Sequence, residues 1–140
     1  MKSDELNFEQ IKVGDQLAAR DHTATAAQLF MYNAVIWNSH RIHYDHAYAV
    51  GQEGYPALVI DGPLQGDWLC QVVTDWIGDR ATLASFGYAN RKVAFLGETM
   101  TASGEVEEKN ERTREIKLKL ALINAKGEVT IPGHALVRFE

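Results

Sequence analysis

The run Asp61-Gly62-Pro63-Leu64-Gln65-Gly66-Asp67-Trp68-Leu69-Cys70-Gln71-Val72-Val73-Thr74-Asp75-Trp76-Ile77-Gly78 holds a complete helix and both of its ends. Leu64, Trp68, Leu69, Val72, Val73, Trp76 and Ile77 fall on one broad apolar stripe at helical spacing, which predicts a helix over 63–77. Pro63 suits the first helical position, because its fixed φ matches the helix and its missing amide would find no partner there. Asp61 or Gly62 is then the expected N-cap, and Gly78 the expected left-handed terminator. A stripe so broad needs more than one packing surface, and Trp68 and Trp76 read as core.

Beyond Gly78 the apolar period drops to two. Met100, Ala102, Gly104 and Val106 alternate with polar residues; Ile116, Leu118, Leu120 and Leu122 alternate with Lys117, Lys119 and Ala121; Ala135, Val137 and Phe139 alternate with Leu136 and Arg138. Such runs are half-buried antiparallel strands with one wet face. Turns are expected at 108–113, at 124–127 and around Pro132-Gly133, with further strand material at 82–88 and 93–96. Upstream, 25–36 and 45–50 read as helices, the second capped by Asp45, while Phe8, Ile11 and Val13 lead to a turn at Gly14-Asp15. One long apolar helix followed by a meander predicts an α+β fold, a curved antiparallel sheet wrapped around the helix. No repeat, low-complexity tract or linker interrupts the 140 residues, so they read as one domain, 1–140.

Hydrophobic residues at 46% and charged residues at 24% are ordinary for a soluble globular chain. A net charge of −5, with no Lys/Arg cluster to offset it, excludes a nucleic-acid footprint. The mixed-sign run 107–114 reads as a solvated hairpin tip. Cys70 is the single cysteine, which rules out an internal disulfide; set in the apolar helix, it is expected to be buried and inert. No run approaches the roughly eighteen apolar residues of a membrane span, and the N-terminus carries no apolar leader core. The expected location is cytoplasmic, with no membrane or nucleic-acid partner.

Chemistry concentrates in Trp37-Asn38-Ser39-His40-Arg41-Ile42-His43-Tyr44-Asp45. An imidazole titrates near pH 6.5 (about) and so can take and return a proton at neutral pH. His40, His43 and His46 stand three apart around Asp45, a spacing that fits no common zinc pattern, and no metal site is expected. Gly62 admits two readings. Its amide, at the positive end of the helix, can hold a developing oxyanion, with no Cβ to keep a substrate carbonyl away. It can equally be a glycine that merely permits the turn before Pro63.

The segment Asn38 to Asp45 resembles the MaoC-like hydratase signature Asp-x-Asn-Pro-x-His-x-Asp, with Asn38 on the first aspartate and His43 on the histidine. Trp37 to Asp45 is more similar still to the Phe-Asn-x-His-Arg-Ile-His-Tyr-Asp of type 2 3-hydroxyacyl-thioester dehydratases and mesaconyl-CoA hydratases. Gly54-Tyr55-Pro56-Ala57-Leu58-Val59-Ile60-Asp61-Gly62-Pro63-Leu64 resembles Gly-Tyr-Pro-x-Leu-Val-Val-His-Gly-Pro-Leu of the same group. Val72 to Gly78 is similar to small hydratases of steroid side-chain degradation.

The resemblance implies a single hotdog domain, working as a homodimer or as a heteromer with another hotdog subunit. It implies a hydro-lyase that reversibly adds water to a trans-2-enoyl-CoA, R-specifically. His43 would be the base, Asn38 would orient the water, the Gly62 amide would hold the enolate oxygen, and Asp45 would assist. Arg41, Arg91 and Lys92 would meet coenzyme A phosphates, and Trp37 with Phe30 would set the acyl tunnel. No metal or redox cofactor is expected, coenzyme A being part of the substrate. Two departures stand out. Asn38 replaces an aspartate, and restoring Asp there is expected to be tolerated. Asp61 replaces the histidine before Gly62 and is expected to cap the helix, making its mouth less welcoming to an enolate. They keep open a non-catalytic hotdog subunit or acyl-CoA scaffold; an acyl-CoA thioesterase, which would share the tunnel, lacks the histidine motif.

Overall fold

The computed structural model describes residues 6–140, and residues 1–5 lie outside it. Three helices, α1 (Ala26–Val35), α2 (His46–Gly51) and α3 (Gly62–Ile77), precede most of a five-stranded antiparallel sheet. The strands are β1 (Arg20–Thr23), β2 (Ala81–Tyr88), β3 (Thr99–Asn110), β4 (Glu115–Ile123) and β5 (Val129–Phe139), in the order β1-β3-β4-β5-β2.

The predicted helix forms over almost the expected residues, and Leu64, Trp68, Leu69, Val72, Val73, Trp76 and Ile77 are all buried. Its partner surface is the inner face of the sheet, where Met100, Ala102, Val106, Ile116, Leu118, Leu120, Leu122, Ile131, Ala135 and Val137 are at most 1% exposed. Each large side chain so buried contributes about 1.5–3 kcal/mol. Three breaks of register, at Leu83/Ser85, Val106/Glu108 and Leu122/Ile123, bend and twist the strands. A flat sheet would touch the helix along one line; this one curls around it.

Several local expectations change. Gly78 has φ 52 and ψ −126, a positive-φ conformation open to glycine but outside the left-handed helical region. Pro132-Gly133 is not a turn: both lie in β5, paired with Ala121 and Leu120 of β4. Pro132 is tolerated because β2 ends opposite Gly133, leaving that side of the strand without a full partner. The hairpin expected at 108–113 sits later, with β3 running to Asn110. Its tip is only partly solvated, since Lys109 and Arg114 both cover the ring of buried Phe8 at 4.5 Å. Residues 93–96 form no full strand, only a bridge between Phe95 and Val59. Cys70 is half-buried. β1 was invisible to periodicity because Arg20-Asp21-His22-Thr23 offers no apolar alternation.

Candidate active site

Residues 58–60 form a pinned strip that leads into α3. Val59 N donates to Ile42 O at 3.0 Å, Ile60 N to Ala94 O at 2.9 Å, and Leu96 N to Leu58 O at 2.8 Å. The same strip orients His43, which sits at the end of a single 3-10 turn, Arg41–His43, and is 8% exposed. Its Nδ1 lies 2.8 Å from the carbonyl oxygen of Val59. A carbonyl only accepts, so Nδ1 carries the proton and Nε2 is the basic nitrogen of the neutral ring.

Facing that nitrogen is Asp61, with Oδ2 3.5 Å from Nε2. Asp61 occupies the N-cap position of α3 but its side chain caps nothing, contrary to the sequence expectation. The carboxylate turns inward instead and is 0% exposed. Asn33 Nδ2 donates to Oδ1 at 2.9 Å and Asn38 Nδ2 to Oδ2 at 3.3 Å. Two amides therefore replace the helix amides as its donors, and the end of α3 keeps its uncapped, partly positive mouth.

Asn38 reaches Asp61 because α1 stops abruptly. Asn38 N closes onto Asn33 O at 3.0 Å, and Trp37 between them takes φ 57, a conformation usually left to glycine. The Asn38 carboxamide oxygen accepts from His40 N at 3.1 Å, so the amide that faces Asp61 is the donor end.

A cavity of about 270 Å³ opens beside these groups, lined by His43, Val59, Gly62, Gln65, Asn90, Arg91 and Lys92. Gly62 has a steric reason of its own. A Cβ there would stand 2.5 Å from Nδ2 of Asn90, so it is this carboxamide that already makes the close approach. Gln65 Nε2 donates to Ile60 O at 3.0 Å while its Oε1 is buried without a partner. Lys92 pairs with Glu128. A second cavity, of about 360 Å³ and mostly apolar, is lined by Phe30, Ala34, Trp37 and Tyr44, with Asn33 and Asn38 also on its wall.

His43, Asn38 and Gly62 are thus brought together, with Arg91 and Lys92 on the same cavity as His43. Asp45 and Arg41 are not part of the cluster. Arg41 Nε and Nη2 hold Asp45 Oδ2 at 3.0 and 2.8 Å, while Asp45 Oδ1 caps α2 through Tyr48 N. The Arg41 guanidinium keeps the Asp45 carboxyl below its ordinary range and lies over the Tyr48 ring at 4.3 Å. These two build the loop rather than the cavity. Trp37, 93% exposed, flanks the apolar cavity instead. His40 touches His43 edge to face at 5.8 Å. Sequence reasoning missed Asn33, Gln65 and Asn90, and misassigned Asp61; for Asn33 and Gln65 the signal was a polar residue interrupting the buried face of a helix, while Asn90, an exposed loop residue, gave none.

Residues 3–96 match the family of hydroxyacyl-thioester dehydratases of type 2, and the chain belongs to that family. Thirty-six residues, 26% of the chain, are 58% identical to a mesaconyl-C(4)-CoA hydratase of Chloroflexus aurantiacus, of whose own length they span 13%. Among solved structures, the (R)-hydratase of A. caviae involved in PHA biosynthesis superposes with a TM-score of 0.86, at 19% identity over 94% of this chain and 99% of that one. The ChsH1-ChsH2 complex of Mycobacterium tuberculosis gives 0.81 at 21% identity, over 92% and 98%. These structures identify the architecture as the hotdog fold.

Proposed function

We propose that this member of the type 2 hydroxyacyl-thioester dehydratases reversibly adds water to a trans-2-enoyl-CoA, giving the (R)-3-hydroxyacyl-CoA. The observation that carries the reading is the meeting, on one cavity, of an imidazole whose Nδ1 is committed to Val59 O and the uncapped N-terminus of α3. His43 Nε2 takes a proton from a water oriented by the remaining Nδ2 hydrogen of Asn38, whose other Nδ2 hydrogen goes to Asp61 and whose Oδ1 accepts from His40 N. The water oxygen bonds to the β-carbon, and the electron pair of the double bond moves to the thioester oxygen. Gly62 N–H and the α3 dipole hold that enolate oxygen. Nε2–H then returns its proton to the α-carbon, so one water is added and no electrons are exchanged. The thioester makes the β-carbon electrophilic, so the reading needs no metal or redox cofactor.

Arg91 and Lys92 would meet the phosphates of coenzyme A at the cavity edge, and the acyl chain would run toward Phe30 and Trp37. The exposed apolar face of α1, with Phe30, Met31 and Val35 at 60%, 65% and 80% exposure, fits a second hotdog subunit, the same chain or a relative. No helix among the described residues is long and apolar enough to cross a membrane. The reaction is tested by incubating the purified chain with crotonyl-CoA and longer enoyl-CoAs. Loss of the conjugated enoyl absorbance without free thiol is expected. Thiol release would mean thioester hydrolysis, and no change with any enoyl-CoA would refute the reading.

A further inference from the structure

Asp61 is the most deeply buried carboxylate near the cavity, and the water-adding steps above do not use it. Burying a carboxylate is costly unless donors and a positive charge repay it. Both oxygens have amide donors, Asn33 on Oδ1 and Asn38 on Oδ2. Asn33 Nδ2 also donates to Leu29 O at 2.7 Å, so its neighbours are both acceptors and its amide orientation is fixed. Neither amide brings charge. The nearest sources of charge among the described residues are the α3 N-terminus and His43 once it is protonated.

We propose that Asp61 is the charge partner of His43, a positioning residue that stabilises the imidazolium formed when Nε2 takes the proton of water. This rests on the hydratase reading. Nδ1 is held by Val59 O, so the proton acquired in the reaction appears on Nε2, the atom 3.5 Å from Asp61 Oδ2. That separation is long for a bond to a neutral ring. It suits an ion pair that tightens when the ring becomes charged. Asn33 and Asn38 anchor the carboxylate in place, so the tightening is left to the ring, and a charge already in position costs little to reorient during the step. The other titratable or charged neighbours are His40 beside His43, Tyr32 on α1, Asp67 hydrogen-bonded to Tyr32, and Arg91 and Lys92 on the cavity wall. Among the described residues, only Asp61 is both fully buried and within ion-pair reach of Nε2.

The test compares the full chain, Asp61→Asn and the exchanged pair Asn38→Asp/Asp61→Asn on crotonyl-CoA across pH. Asp61→Asn should lower kcat at least about tenfold, because the imidazolium developing in the step loses its counter-charge. The acid limb of its pH–rate profile should move to lower pH, because an imidazolium without its carboxylate yields the proton more readily. The exchanged pair, which moves the carboxylate to the other side of the 3.3 Å contact between positions 38 and 61, should regain activity and move the limb back. A wild-type rate and an unmoved limb in Asp61→Asn overturn the proposal, as does a loss of rate with an unmoved limb and no recovery on exchange. If Asp61→Asn does not fold, the exchanged pair decides alone, and a folded but inactive exchange overturns it. An inactive wild type would instead overturn the hydratase reading, and this proposal with it.

Discussion

Replacing Gly62 by Ala separates the two things asked of that position. The added Cβ would stand 2.5 Å from Nδ2 and 2.8 Å from Cγ and Oδ1 of Asn90, closer than carbon contacts allow. Asn90 is an exposed side chain, so its carboxamide can swing away, at a rotamer cost of about 0.5–1.5 kcal/mol. Against this, Gly→Ala at a helical residue restricts the unfolded chain and returns about 0.4–1 kcal/mol. The two nearly cancel, and stability should change by less than about 1 kcal/mol, a shift of a few degrees in Tm. Activity should not be spared. The displaced carboxamide enters a cavity of only about 270 Å³ that also holds His43, and kcat/KM on crotonyl-CoA should fall at least about tenfold. Because Ala keeps the backbone N–H, the loss is steric, and Asn90→Ala in the Gly62→Ala background should recover most of it. A wild-type rate in Gly62→Ala, or no recovery in the double variant, would show that substrate does not approach α3 through this cavity.

His43→Ala should lower kcat by at least about a hundredfold, the low end for general acid–base groups, and enoyl-CoA turnover within a few-fold of wild type would end its role as base. Asn38→Asp, expected from sequence to be tolerated, should instead cost about 1–3 kcal/mol of stability, since it replaces the donor on Asp61 with a second carboxylate 3.3 Å away; a melting temperature at or above wild type near neutral pH would refute that. Burial, reinforced by Arg20, lowers the proton affinity of His22, whose ring stacks on Trp68 at 4.7 Å with Nε2 unpartnered. Above its ordinary value of 6.5 the ring is neutral in both states; as pH falls below that, the unfolded chain takes a proton the folded chain resists, and stability declines until the lower folded value is passed. His22→Phe keeps the stack and should flatten Tm between pH 7.5 and 5, whereas an unchanged slope would assign the decline to other groups.

The fold was legible where one period dominated. The apolar stripe of α3 and the alternation in β3, β4 and β5 each put a whole face into one core, so sequence pattern and tertiary burial agree residue by residue. It was illegible where pairing, not burial, makes the structure. β1 is an edge strand held by its register with β3, and its residues are mostly exposed, so no hydrophobic period marks it. Pro132 misled for the opposite reason: proline usually breaks strands, yet it costs little where a neighbouring strand has ended.

The candidate site divides along the same line. His43 and Asn38 were legible because nine residues of loop carry their own local pattern. Asp61 was read as a cap because a carboxylate before Gly-Pro at a helix start normally accepts the helix amides. What overrides that preference lies 28 and 23 residues upstream, in the amides of Asn33 and Asn38. Neither amide signals its partner in sequence, and both arrive only because α1 ends on a strained residue, Trp37, that folds the chain back. The consequence reaches the chemistry. A carboxylate bonded to the helix amides would have taken up the donors an enolate needs; one turned inward leaves those amides uncapped and faces His43 instead. A single rotation about the Asp61 side chain thus separates a structural cap from a charge partner, and no linear motif encodes which of the two the fold selects.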